Sequence, residues 1–256
     1  VGGCCDVGKA DKEPRSNFTE ETMSRSETLR KELDQMVNTQ FDTPEFVRFL
    51  SIKYTMKRAR YLAMEMALYT SNRRDCWAYV SGASPLEVKQ AIWQHEGEEL
   101  VRDPRCDTDH YSLQLKECRL LGISPEEIAS ARPIPQARAA YYAWTYLAIK
   151  QNWLSALASS SILERRNNNE IVKGGGLSLR IAQRWREDLG LELKDMPSTA
   201  VHKEADKEHS DMIWGIFEKY GAEESGYKAI IEGARESLQV DRAFRLALAV
   251  AMEGMG

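Results

Sequence analysis

The chain lacks a long apolar run: nothing in it approaches the ~20 residues a helix needs to cross a bilayer, so no membrane partner is expected. No charged stretch followed by an apolar core opens it, and a cytoplasmic setting is expected. Cysteine is scarce and unpatterned. The five present (Cys4, Cys5, Cys76, Cys106, Cys118) are an odd number with no CxxC spacing. That argues against a disulfide scaffold or a zinc ribbon and for reduced thiols. The net charge is only −4 and no basic stripe is present, so no nucleic-acid partner is expected. Strand-like alternation, internal repeats and low-complexity tracts are missing, as is the HExxH motif of zinc hydrolases. Histidine is scarcer still, with four in 256 residues.

What remains is helical spacing. Residues 1–17 are polar without periodicity and read as a disordered arm, and 18–256 as a single helical domain long enough for a full core. Leu29, Leu33 and Met36 predict a helix over Thr19–Val37. Asp42-Thr43-Pro44-Glu45 starts a second, which Phe46, Phe49, Leu50, Tyr54, Tyr61, Leu62 and Met66 carry to about Tyr69. A short helix follows over Cys76–Val80, and another runs from Ser84-Pro85 to about Val101. Pro104 interrupts it; Asp107 caps a new helix that Gly122 ends, and Ser124-Pro125-Glu126-Glu127 starts the next.

The segment Gln136–Arg166 is apolar nearly all round and reads as one central buried helix. Its Ala156, Ala158, Ser159 and Ser160 allow close approach of neighbours or leave room for a cavity. Its aromatic residues, from Tyr141 to Trp153, are either pocket lining or plain core. Further helices are expected over Leu177–Leu189, Thr199–Tyr220 and Glu224–Met252. The fold class is all-α, with about seven or eight helices, too uneven for a simple four-helix bundle.

The chemistry centres on His202, Asp206 and His209. At i, i+4 and i+7 they share one helix face, with Lys203, Glu204, Lys207 and Glu208 beside or behind them. Two imidazoles and a carboxylate suit non-haem iron, with manganese or zinc as competitors. A solvated face with an Asp206–histidine pair is the alternative. Other helices offer partners. His110 follows Asp107 by three residues, where Asp107 is a ligand or an N-cap. Glu164 ends the apolar helix, as a ligand or in an ion pair with Arg165 or Arg166. Glu65 stands among Met64, Met66 and Leu62, as a ligand or paired with Arg58 or Arg60. Two sets emerge: Glu65 and His110 with a carboxylate near Asp107, and Glu164 with His202, Asp206 and His209. Together they suffice for two metals with Glu164 bridging, and a dinuclear iron site in a helical core activates O2. His95, between Trp93 and a Glu-rich turn, reads as structural.

The order of these residues resembles the haem-oxygenase-like diiron oxidases and oxygenases. It runs from Glu65 to Asp107-x2-His110 leading into HYSLQLKECRLLGISPEEI, then Glu164, then His202-x3-Asp206-x2-His209. That fold is shared with the TenA thiaminases and the PQQ-synthesis protein PqqC. The resemblance covers roughly residues 42–220. It implies a haem-oxygenase-like bundle and metal ligands at Glu65, His110, Glu164, His202, Asp206 and His209, with Asp107 or Glu99 as the seventh. It further implies two Fe ions with O2 as co-substrate. The substrate would be a small molecule of amino-acid type in a biosynthetic pathway, met by oxidative C–C cleavage, desaturation or N-oxygenation. An external electron donor and a homodimer are also implied. A substrate carboxylate would want Arg58, Arg60 or Lys53. A metal-independent enzyme of the same fold and a non-catalytic helical interaction protein are the alternatives.

Overall fold

A computed structural model describes residues 24–256. The expected arm at 1–17 and the start of the first predicted helix lie outside the described residues. Eleven α-helices and one 3-10 turn follow each other, with no strand among the described residues. The helices are α1 (Arg25–Gln40), α2 (Pro44–Leu50), α3 (Met56–Ala83), α4 (Leu86–Leu100), α5 (His110–Leu120), α6 (Pro125–Ser130), α7 (Pro135–Lys150), α8 (Trp153–Arg165), α9 (Leu177–Leu189), α10 (Pro197–Tyr220) and α11 (Glu224–Glu253). No helix among the described residues is long and apolar enough to cross a membrane.

Helix starts follow local chemistry. Ser24 and Ser124 each form a reciprocal capping box, with Glu27 and Glu127. Two expectations of helix length are corrected. The predicted helix from Pro44 to Tyr69 breaks at Ser51–Thr55, where the Thr55 hydroxyl accepts from the Arg58 N–H. Its second part then runs unbroken through Cys76–Val80 to Ala83. The polar Ser71–Asp75 stretch stays helical because Arg73 and Arg74 point into the protein and are buried. The predicted helix Gln136–Arg166 is two helices, because Asn152 Oδ1 accepts from Leu154 N–H at 3.1 Å and Ser155 N–H at 3.0 Å and caps α8.

α8 is the central element, packed on α11, α7, α10, α3 and α1. Its small residues serve close approach. A Cβ on Gly233 of α11 would stand 2.1 Å from the Ser155 carbonyl oxygen of α8. The backbones cannot yield without displacing both helices, so Gly233→Ala is expected to lose about 1–3 kcal/mol, read by denaturant unfolding. The aromatic stripe of α7 divides: Tyr141 and Trp144 are core, whereas Tyr142 and Tyr146 are exposed. α8 also carries Glu164 at its far end, facing α3, α4 and α10.

Candidate metal centre

α10 behaves as its spacing predicts: Asp206 and His209 are buried and His202 is half-buried, while Lys203, Glu204, Lys207 and Glu208 are exposed. Across from this face stands α4, with His95 and Glu99 one turn apart and both buried. α5 begins at His110, and α8 supplies Glu164. Two groups of donor atoms result, besides a third in the loop before α5 that joins Asp103 and Cys106 to His110. One holds Glu99, His110 and His202, the other His95, Glu164 and His209, each with its atoms within 4.8 Å of one another. The rings of His95 and His209 lie 4.2 Å apart and those of His110 and His202 4.8 Å apart, which brings the two groups together.

Each histidine is oriented by an acceptor outside the cluster. A carboxylate or carbonyl oxygen accepts only, so the ring nitrogen facing it carries the proton. His95 Nδ1 donates to Glu96 Oε1 at 2.9 Å, His202 Nδ1 to the Ser198 carbonyl at 2.8 Å, and His209 Nε2 to Glu98 Oε2 at 3.0 Å. His110 Nε2 donates to Asp103 Oδ2 at 2.6 Å. The opposite nitrogens all turn inward. His95 Nε2 and His209 Nδ1 are buried with no hydrogen-bond partner, and the buried Asp206 carboxyl faces only another carboxyl, Glu164. Such orphaned lone pairs are costly unless something fills them. Four imidazole nitrogens and three carboxylates, held by outer acceptors, are the donor set of non-haem iron, and the residues fit that metal.

The electrostatics agree. Arg74 of α3 lies among the carboxylates, with Nη1 2.8 Å from Glu99 and 3.0 Å from Glu96, and Nη2 3.8 Å from Glu164. Burial pushes the Glu99 carboxyl up, but Arg74 and the hydrogen bond from His110 outweigh it and hold Glu99 well below the ordinary range. Asp206 goes the other way. Burial, then the charges of Glu164 and Glu99 and a hydrogen bond with Glu164, raise it well above the ordinary range and favour its protonated form. Burial lowers the His202 imidazole. Burial also acts to lower His110, but Glu99 at 3.0 Å and Asp103 overcome it and raise that ring.

The sequence-derived set is rearranged in three places. His95 joins the cluster instead of serving a structural role. Of the alternatives for the seventh position, Glu99 is inside and Asp107 outside: Asp107 sits at φ +60°, exposed, with its carboxylate on Arg102. It does not cap α5 either; Asp109 does, accepting from Ser112 N–H at 2.7 Å. The acidic partner of His110 in this loop is Asp103, placed by its hydrogen bonds to Arg105 and its bridge to Thr108. Glu65 is buried but belongs to neither group of donors. Its Oε1 accepts from Ile134 N–H at 3.2 Å, and burial raises its carboxyl. Arg74, nine residues on, lies ~13–14 Å further along the helix axis. Neither Arg58 nor Arg60 pairs with Glu65; they bind Met252 and Lys53 carbonyls, and Glu127. The missed signal was His95-x3-Glu99, one helical turn of two ligand-type residues.

A cavity of about 120 Å³ opens beside the centre, lined by Glu99, His110, Glu164 and His202 together with Leu62, Met66, Leu163 and Ile181. Glu117 of α5 also lines it. Burial pushes this carboxyl from 4.5 to about 7, despite hydrogen bonds from Thr199 and Ser198 N–H. Between these values the folded chain holds a proton that the unfolded chain has released, so stability falls as pH rises through the window. Glu117→Gln should therefore gain on the parent protein by on the order of 3 kcal/mol between pH 4.5 and pH 8, measured by urea unfolding. An equal offset at both pH values would remove the proton from Glu117.

The profile of a family described as iron-containing redox enzymes matches residues 60–242, well over half of the chain. No curated protein matches by sequence. Among solved structures, a domain of unknown function with a haem oxygenase-like fold from Shewanella denitrificans has a TM-score of 0.71 and 15% identity, covering 90% of this chain and 93% of its own. A CADD-like protein of unknown function from Nostoc punctiforme has a TM-score of 0.67 and 15% identity, covering 88% of this chain and 97% of its own. A TenA-like protein from Sulfolobus solfataricus has a TM-score of 0.56 and 13% identity, with the same coverage of 88% and 97%. Identities this low speak for the fold alone. By its sequence match the chain belongs to the family of iron-containing redox enzymes, and its fold is haem oxygenase-like.

Proposed function

We propose that the chain holds two iron ions at this centre and uses O2 to oxidise a small molecule bound in the adjoining cavity. The observation that carries the reading is the convergence of all four histidines of the chain, each with one ring nitrogen tied outward and the other turned in. Glu99, His110 and His202 would hold one ion. His95, Glu164 and His209, with Asp206 beside them, would hold the other.

Bound iron supplies the reduction of O2 and the oxidising power. The chain does the rest. Glu96, Glu98 and the Ser198 carbonyl fix tautomer and ring orientation, which keeps the inward nitrogens of His95, His209 and His202 free of protons for a metal, while Asp103 orients His110. Asp206 and the inward nitrogen of His110 release protons as cations enter, so affinity rises with pH. Leu62, Met66, Leu163 and Ile181 give the cavity an apolar side next to the reacting atoms. Glu117 holds a proton at its carboxyl near neutral pH on the cavity wall, within the space a substrate would fill. For a small amino-acid-like molecule the outcomes open are C–C cleavage, desaturation or N-oxygenation, with an external donor returning electrons to the site.

Protein loaded with Fe(II) without air, then mixed with O2 and a panel of amino and carboxylic acids, tests the reading. O2 uptake is expected to rise above the substrate-free rate with at least one of them. Full turnover of the panel by metal-free protein would overturn it.

A further inference from the structure

The cavity beside the metal centre has a cationic wall for which the metal chemistry has no use. Arg73 of α3 lines it and is only 4% exposed. It has no ion-pair partner among the described residues, and its Nη2 is buried without a hydrogen bond. Its one close neighbour of note is the Trp144 ring, 5.7 Å from the guanidinium carbon. Arg166 and Arg245 line the same cavity and share a single carboxylate, Asp241. Arg245 Nε donates to Asp241 Oδ1 at 3.0 Å and Arg166 Nη1 to Oδ2, which also accepts from Gln40 Nε2 at 2.7 Å.

At this end of the cavity two guanidinium ions on one carboxylate leave one positive charge over, and Arg73 adds another; the carboxylates of the other end, Glu99 and Glu164, lie against Arg74, His110 and His95. Buried charge without a partner is strongly unfavourable, and such groups persist where a ligand completes them. A guanidinium presents paired N–H groups that match the two oxygens of a carboxylate. Arg58 and Arg60, the candidates from sequence, are engaged elsewhere.

We propose that this cavity takes a small carboxylate, its head group on Arg73 with Arg166 and Arg245 adding positive field, and its remainder along Leu62, Met66 and Leu163 toward the metal centre. The proposal rests on the cavity being the substrate site of the proposed oxidase.

The test uses metal-free protein, so that it does not depend on iron chemistry. Calorimetric titration compares acetate, butyrate and L-norvaline with butyramide and L-norvalinamide. A carboxylate of the series should bind saturably below about 50 mM and its amide at least ~10-fold more weakly. Arg73→Gln should raise the Kd of that carboxylate by about 10–100-fold and leave the amide unchanged, with Arg73→Lys between the two. Without ligand, Arg73→Met removes an unpaired buried charge and should raise the Tm by roughly 2–4 °C. A fall in Tm, equal binding of acid and amide, no binding by any acid, or preference for methyl phosphate over butyrate would each overturn the proposal. Carboxylate binding through Arg73 in a protein that takes up no O2 when iron-loaded would leave this inference standing and remove the oxidase reading. O2 uptake without carboxylate preference would do the reverse.

Discussion

Replacing His95 by alanine is expected to halve the iron that the chain retains. In the folded protein its Nε2 is buried, unpartnered and 3.8 Å from Glu164, in the group that also holds His209. Loss of an outer partner such as Glu96 costs ~10–100-fold in metal affinity, and loss of the donor nitrogen itself costs more. The ion shared by His95, Glu164 and His209 should leave, while that at Glu99, His110 and His202 stays. O2 uptake, which needs both, should fall to background. Glu65→Gln and Asp107→Ala are the paired controls. Neither side chain reaches the donor groups, so both variants should bind as much iron as the parent protein. Iron loss in Glu65→Gln with none in His95→Ala would restore the composition read from sequence.

Arg74→Gln should strongly destabilise the metal-free protein and be rescued by metal. The guanidinium lies 2.8 Å from Glu99 and 3.0 Å from Glu96 inside the cluster. Removing one partner of a buried pair costs about 3–5 kcal/mol, or roughly a 10 °C fall in Tm for a chain of this size. The pH dependence has a definite sign. Arg74 holds Glu99 below its ordinary value, so its contribution is present above the unfolded carboxylate pKa and is lost as pH falls through the folded one. The deficit of the variant should therefore be larger at pH 8 than at pH 4. Redox-inert Zn(II) restores positive charge to the carboxylates and should recover most of the lost Tm by mass action. An unchanged Tm, or a deficit that metal does not repair, would show that Arg74 is not what compensates these carboxylates.

The parts of the site legible in sequence were those set by a single helix. His202, Asp206 and His209 declare themselves because spacing on one helix dictates a face. Glu164 does so because a carboxylate ending an apolar helix needs a reason to be there. His95 was hidden by its neighbours. Trp93 and the acidic residues around it suggest a solvated surface, and Trp93 is indeed 73% exposed. Two helical residues lie ~200° apart around the axis, so an exposed Trp93 is the counterpart of a buried His95. Asp107 and Glu99 could not be told apart, because a loop with a positive φ at Asp107 turns that carboxylate out to Arg102 and sets Asp103 against His110. Arg73 and Arg74 read as a polar interruption between two helices. Only the packing of α4, α5, α7 and α8 around α3 shows that both point inward. The all-helical class is legible throughout, but Asn152 is a lone cap inside an apolar run, too weak a signal to divide α7 from α8 by periodicity.

The central claim is that one helix face, two residues of α4, one of α5 and one of α8 hold two iron ions. Iron quantification after anaerobic loading with Fe(II) and removal of loosely bound metal tests it most directly. Two ions per chain in the parent protein and one in His95→Ala are predicted. A single ion in both, or none in either, would contradict the account.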